Sequence, residues 1–261
     1  TGTDLSGFTQ YPSIAPTGCS VGTKQGFSII QYTGVDNGTA RTVPHGLTQK
    51  PDFMIVKGIT DNSRSWIIYH SALGATKYFQ FDNTSAGTNA GPWNNTEPTS
   101  TFFTLGTSYN NVNVSGNKSY ISYHWHNVPG LQKFGSYKCN GDGSGGGSED
   151  GPFVELGFKP AMILFRGNYN SDWTWIDNER CAINYNDVAL RANYHYGEIG
   201  NARGGVGSSS QPENYAVDFL SNGFKIRASG GSLNSGTNTV IYAAWAEAPQ
   251  FNLYGAQSNA R

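Results

Sequence analysis

Apolar and polar residues alternate along "SYISYHW" (Ser119 to Trp125). Ile121, Tyr123 and Trp125 fall on one side, and Tyr120, Ser122 and His124 on the other, which His126 continues. A period of two over this length marks a half-buried β-strand. The spacing returns in "TVIYAAWA" (Thr239 to Ala246), with Ile241, Ala243 and Trp245 on the first side. That side reads as the packed one, so Trp125 and Trp245 are expected in the core or between sheets, as are Trp66 and Trp173. His124 and His126 are expected at an exposed or interface surface. Short apolar runs bounded by Gly, Asn, Ser and Pro predict further strands at 27–32, 53–59, 65–70, 77–81, 101–105, 134–138, 153–156, 162–166, 173–177, 215–219 and 223–228. A short helix is predicted near 186–192.

The pattern is written twice. "KPDFMIVKG" (Lys50 to Gly58) returns as "KPAMILFRG" (Lys159 to Gly167), with Pro51 matching Pro160 and Lys57–Gly58 matching Arg166–Gly167. Proline is tolerated at the first residue of a strand, and the basic residue and glycine mark its exit. "FSIIQYTG" (Phe27 to Gly34) resembles "FGSYKCNG" (Phe134 to Gly141), and "SRSWIIYH" (Ser63 to His70) resembles "NSDWTWID" (Asn170 to Asp177). "SYISYHWHNVP" answers "TVIYAAWAEAP", each after a Ser–Gly turn. The expected organisation is a connector at 1–23, modules at 24–130 and 131–250, and a tail at 251–261. The fold class expected is all-β: two tandem homologous antiparallel β-sandwich modules, jelly-roll-like. The copies differ most in the loops 83–100 and 197–214.

Composition agrees. Charged residues are 13% and glycines number 34 of 261, which suits short strands and tight turns more than helices. The net charge of −1 leaves no electrostatic footprint for nucleic acid. The apolar runs are too short to insert in a bilayer as a helix. Cys19, Cys139 and Cys181 are widely spaced and read as free thiols or at most one pair. Thr1 rather than Met opens the chain, as in a fragment or processed product.

Candidate chemistry is sparse. "GDGSGG" (Gly141 to Gly146) matches a dinucleotide-binding spacing, but no helix follows it, and a hairpin loop is expected. Asp142, Glu149 and Asp150 lack the spacing of a calcium loop. His124 and His126 could share a metal, but alanines replace them in the second copy. Asp172, Asp177, Glu179 and Asp187 do not recur in the first copy as a carboxylate pair would. No cofactor, no metal and no catalytic residue is expected. Aromatic rings stack on the C–H faces of sugars, and amides satisfy their hydroxyls. On that ground Trp93 with Asn94 and Asn95, and Tyr194, His195 and Tyr196 before the long loop of the second copy, are the candidate ligand-binding residues.

"GTDLSG…YPSI", "HGL…KPDFMIVKG", "SWIIYHSALGATK", "WNNTEPTSTFFTLGTS", "DGPFVELGFKPAMILFRG", "DFLSNGFKIR" and the final "NAR" together resemble a module at the C-terminal ends of tail-fibre-like and other virion proteins of phages, marine phages and cyanophages especially. The resemblance covers nearly the whole chain. It implies a virion structural protein, the distal part of a tail fibre or appendage, outside the host cell. It implies other virion proteins as partners, a homo-oligomer, with a trimer favoured, and a host-surface glycan or envelope component as the attachment target. Nucleic acid binding and membrane insertion are not expected. A purely structural decoration or baseplate subunit and a capsular depolymerase are the alternatives.

Overall fold

The computed structural model describes residues 13–35, 37–60, 63–84, 86–87, 91–107, 109, 111–141, 150–169, 171–195, 197–200 and 215–249. Among these residues the regular elements are strands without a helix, and the strand pairs are antiparallel. The protein is all-β, as its alternation and turn content require. It divides into two compact units, Thr1–Asp82 with Ala86–Asn127, and Val128–Arg261 with Asn83–Ser85.

Unit 1 holds β1 (Pro16–Gly22), β2 (Phe27–Thr33), β3 (Arg41–Pro44), β4 (Phe53–Gly58), β5 (Ile67–His70), β6 (Tyr78–Gln80), β7 (Ala86–Gly87), β8 (Phe102–Leu105) and β9 (Ser119–Trp125). Seven of these form one sheet in the order β1-β2-β9-β4-β5-β6-β7, and β3 pairs with β8. The core lies between the two sheets, with Ile30, Tyr32, Met54 and Val56 on one side and Val43, Phe103 and Leu105 on the other. Part of the predicted connector is therefore a strand: β1 pairs along β2 from Gly22↔Phe27 to Pro16↔Tyr32.

Unit 2 holds β10 (Gln132–Lys138), β11 (Phe153–Glu155), β12 (Pro160–Gly167), β13 (Thr174–Asp177), β14 (Leu190–Arg191), β15 (Val217–Leu220), β16 (Gly223–Ile226) and β17 (Thr239–Ala246). Its sheets run β10-β17-β12-β13-β14 and β11-β16-β15. Ile163, Phe165, Ile176, Val217, Phe224 and Val240 fill the space between them. Phe224 meets Phe165, Tyr137 and Tyr242 edge-on at 5.4–6.0 Å, an arrangement favoured by the ring quadrupoles.

The central pairings follow one plan. Phe53 opposes Trp125 as Met162 opposes Trp245, Lys57 opposes Ile121 as Arg166 opposes Ile241, and Gly58 opposes Tyr120 as Gly167 opposes Val240. The register shifts one of the sequence matches by two residues. Phe27 and Gln132 oppose the two tryptophans, so Phe27 corresponds to Gln132 and not to Phe134. A slip of two residues keeps every side chain on its own face, so alternation alone does not reveal it.

The sidedness of β9 is the reverse of the expected one. Tyr120, Ser122 and His124 are buried, while Ile121, Tyr123 and Trp125 are half-buried. Tyr120 stacks on Tyr32 at 5.3 Å in the core, and the Tyr32 hydroxyl donates to Val112 O at 2.7 Å. Ser122 is tolerated there because its hydroxyl donates to Ile30 O at 3.2 Å. On the outer face, Trp125 gathers Phe27 at 4.8 Å and Phe53 at 5.5 Å.

The predicted helix at 186–192 is also replaced. Asn186 bridges to Val217, Ala189 bridges to Ile199, and Leu190–Arg191 joins the sheet. The buried Asn186 side chain accepts from Val188 N–H and donates to Asp177 O and Cys181 O. Such side-chain bonds compete with helical ones. A second buried amide, Asn234, closes unit 2. Its Oδ1 accepts from Asn140 N–H at 2.9 Å and Gly141 N–H at 3.1 Å, and its Nδ2 donates to Asn140 Oδ1 and Ala228 O.

Candidate functional site

The exit of β12 shapes a polar concavity of unit 2. Gly167 carries no Cβ there; one would lie 2.4 Å from the Tyr169 ring. The chain then folds Tyr169 over its own strand end, and the phenol donates to Gly231 O at 3.0 Å and Ser232 O at 2.9 Å. Ser171 Oγ accepts from Gly167 N–H and fixes the turn. Asp172 follows, before β13, and Arg191 comes from β14. Together with Tyr194 and Tyr215 these residues line a cleft of about 610 Å³.

The cleft is preorganised. Arg191 Nε lies 3.1 Å from Asp172 Oδ2, and Asn193 Nδ2 donates to Asp172 Oδ1 at 3.0 Å. Arg191 Nη2 donates to the Tyr215 hydroxyl at 2.6 Å, and its guanidinium lies over the Tyr215 ring. Arg166, fully buried on the same sheet, donates to Thr84 O and lies beside Trp173. Burial lowers its pKa to about 10, opposed by the Asp172 carboxylate, so it remains a cation at neutral pH. Burial also raises the pKa of Tyr169, and Arg166 opposes the rise; the phenol is a neutral donor and not a base. Tyr194 is 43% exposed and offers a ring to solvent. Such a cleft presents a carboxylate, a guanidinium, serines and aromatic faces to a polar ligand.

Of the candidates drawn from sequence, Tyr194 lines this cleft and His195 next to it is exposed. Tyr196 lies outside the described residues, as do Asp142, Glu149 and most of the long loop. Trp93 is corrected. It is 1% exposed and meets Tyr69 edge-on at 5.9 Å in the unit 1 core, so it is not a surface contact. Asn94 and Asn95 beside it are exposed with φ of 52° and 53°. Asparagine tolerates this left-handed backbone better than most residues, so both have a turn-forming role. The loop is pinned by Glu97, which accepts from Tyr69 OH at 2.5 Å, Ala75 N–H at 2.7 Å and Lys50 Nζ at 3.3 Å. Burial alone would raise the Glu97 pKa, but those donors outweigh it and hold the carboxyl below its ordinary value. Asp172 was visible only as an unrepeated acid, and Arg191 and Tyr215 carried no sequence signal; the fold brings them together.

Trp66 is corrected in the other direction. It is 37% exposed, with Lys57 Nζ 5.6 Å from its ring centre. The two histidines expected at the surface are interior: His124 is fully buried and His126 is 4% exposed, and His45 and His70 are fully buried as well. His45 accepts from Leu47 N–H on Nδ1, so its Nε2 carries the proton and donates to Thr99 O at 3.1 Å. Burial, with a smaller push from His126, lowers its pKa to about 4 against the Thr99 bond. His124 lies 5.8 Å from His45 and is held far below its ordinary value, first by burial and then by His45. Both are neutral at physiological pH. Among the described residues no group of three His, Cys, Asp or Glu is placed to hold a metal. The three cysteines are free thiols.

Two comparisons found no counterpart: no curated protein and no solved structure matches the chain. The profile of one protein family, described as Domain of unknown function (DUF7483), matches residues 11–249.

Proposed function

The chain belongs to that family of unknown function, and we propose that it is an attachment protein of a phage virion that binds a host-surface glycan through the cleft of unit 2. The observation that carries this reading is the Asp172–Arg191 pair held among Tyr169, Tyr194 and Tyr215. Saccharide hydroxyls need both donors and acceptors, and a pyranose C–H face needs an aromatic ring; the cleft supplies all three. The sequence resemblance to phage fibre modules supplies the setting, a distal appendage of the virion that works outside the cell. An oligomer, a trimer in this reading, would multiply a weak single site by the effective concentration of its copies.

The arrangement supports binding over hydrolysis. Two carboxylates flank the bond in most glycosidases, and among the described residues lining this cleft Asp172 is the one acid. The experiment is a host-glycan array followed by calorimetry on the best hit. Binding is expected for the wild type and is expected to weaken about tenfold or more in Tyr194→Ala and Asp172→Asn. No hit across host envelope glycans, or a hit indifferent to both substitutions, favours a purely structural virion subunit instead. Release of reducing ends from host polysaccharide would favour the depolymerase.

A further inference from the structure

A second hollow of about 700 Å³ lies in unit 2, on the face of β12 and β13 turned away from the core. Its floor is apolar, formed by Met162 and the half-exposed Trp175. Register places them on one face: Met162 opposes Asp177 and Leu164 opposes Trp175, while Ile163 and Ile176 point into the core. The rim is acidic, with the carboxylates of Asp177, Glu179 and Glu247 against the guanidinium of Arg180. Arg180 is spent on Asp177, its i,i+3 partner. Lys159, bonded to Glu247 at 2.7 Å, and Glu198, 4.0 Å from Arg180, leave the local balance at two negative charges. The exposed Glu179 carboxylate has no cationic partner among the described residues.

We propose that this hollow binds a sugar unit carrying a free amino group, with its C–H face on Trp175 and its ammonium on Glu179. Charge and hydrogen-bond type together select the class. The rim offers mainly acceptors, so the ligand must be rich in donors. Its net negative charge calls for a cation, and the indole face adds attraction for both a cation and an apolar surface. A hexosamine meets each requirement: several hydroxyl donors, an ammonium and an apolar ring face. A quaternary ammonium has no donor for the carboxylates, and an acidic sugar is repelled. The site is separate from the Asp172–Arg191 cleft and stands whether or not that cleft binds glycan.

The test is calorimetric titration of the full chain with a glucosamine tetramer and with its fully N-acetylated counterpart. The sugars differ in charge and donor at one position per ring. Binding is expected for the free amine and at least about tenfold weaker for the acetylated form. Glu179→Gln, exposed and harmless to folding, is expected to weaken the amine about tenfold. Equal or tighter binding of the acetylated tetramer, no binding of either sugar, or an affinity untouched by Glu179→Gln overturns the proposal. Equal binding of a lysine tetrapeptide also overturns it, because the site would then read charge without sugar.

Discussion

The Arg166 guanidinium lies 5.8 Å from the centre of the Trp173 ring. The corresponding pair in unit 1 is Lys57 with Trp66, at 5.6 Å. Both cations stand one residue before the glycine that ends their strand. Arg166 and Trp173 are buried, whereas Trp66 is 37% exposed. A contact between cation and ring strengthens as water is removed, and truncating a fully buried side chain leaves a cavity.

The two pairs should therefore answer differently to truncation. Arg166→Ala is expected to cost about 3 kcal/mol of stability, through the cavity it leaves and the lost bond to Thr84 O, and Lys57→Ala under about 1 kcal/mol. Urea unfolding of each variant measures both. Equal losses would show that burial does not separate the two pairs.

Acid should weaken the fold through unit 1. In the folded chain His45 titrates near about 4, against about 6.5 when unfolded. The unfolded chain then binds more protons below about 6.5, so stability is intact above that pH and declines as the pH falls toward about 4. The full loss from His45 is about 3 kcal/mol, and His124 adds in the same direction. Unfolding midpoints compared at about pH 7 and about pH 5 should show the decline, and His45→Gln should shrink it.

Trp93 should behave as core. Trp93→Ala is expected to lose about 3–5 kcal/mol, while Asn94→Gly, at a positive φ that glycine adopts freely, should change stability by under about 1 kcal/mol. Neither should alter ligand affinity at the unit 2 cleft once the protein is folded. Thermal unfolding with glycan titration of the same samples checks both halves.

Asn234→Ala should destabilise unit 2 by about 3 kcal/mol, because two backbone N–H groups and two carbonyls lose a common partner. Chemical denaturation measures it. A loss under about 1 kcal/mol would mean that the freed groups find other partners.

Alternation and the repeated phrases made the strand class and most strand positions readable from sequence. They did not reveal which side of β9 meets the core. That strand lies in the middle of a sheet with residues packed on both faces, so Trp125 and His124 both find cover, and polarity ceased to mark the outside. Trp93 misled for a related reason: a tryptophan among asparagines in a loop looks exposed until its neighbours show the loop folded beneath itself. The cleft was half readable. Tyr194 stood out beside a long loop, but Arg191 and Tyr215 meet only because β14 pairs with β13 and the chain entering β15 returns beside them.

The Asn234 clasp has a consequence for how the protein ages. Asparagine followed by glycine is the dipeptide most open to deamidation, in which the glycine nitrogen attacks the neighbouring side-chain carbonyl to close a five-membered ring. At Asn140–Gly141 that nitrogen is committed to Asn234, and the Asn140 amide is tied between Asn234 and Asp150 O. Asn37–Gly38 and Asn222–Gly223 are dipeptides of the same kind, each with an exposed asparagine. Over long storage the first chemical scars should form at residues 37 and 222, while the clasp in unit 2 keeps its amide.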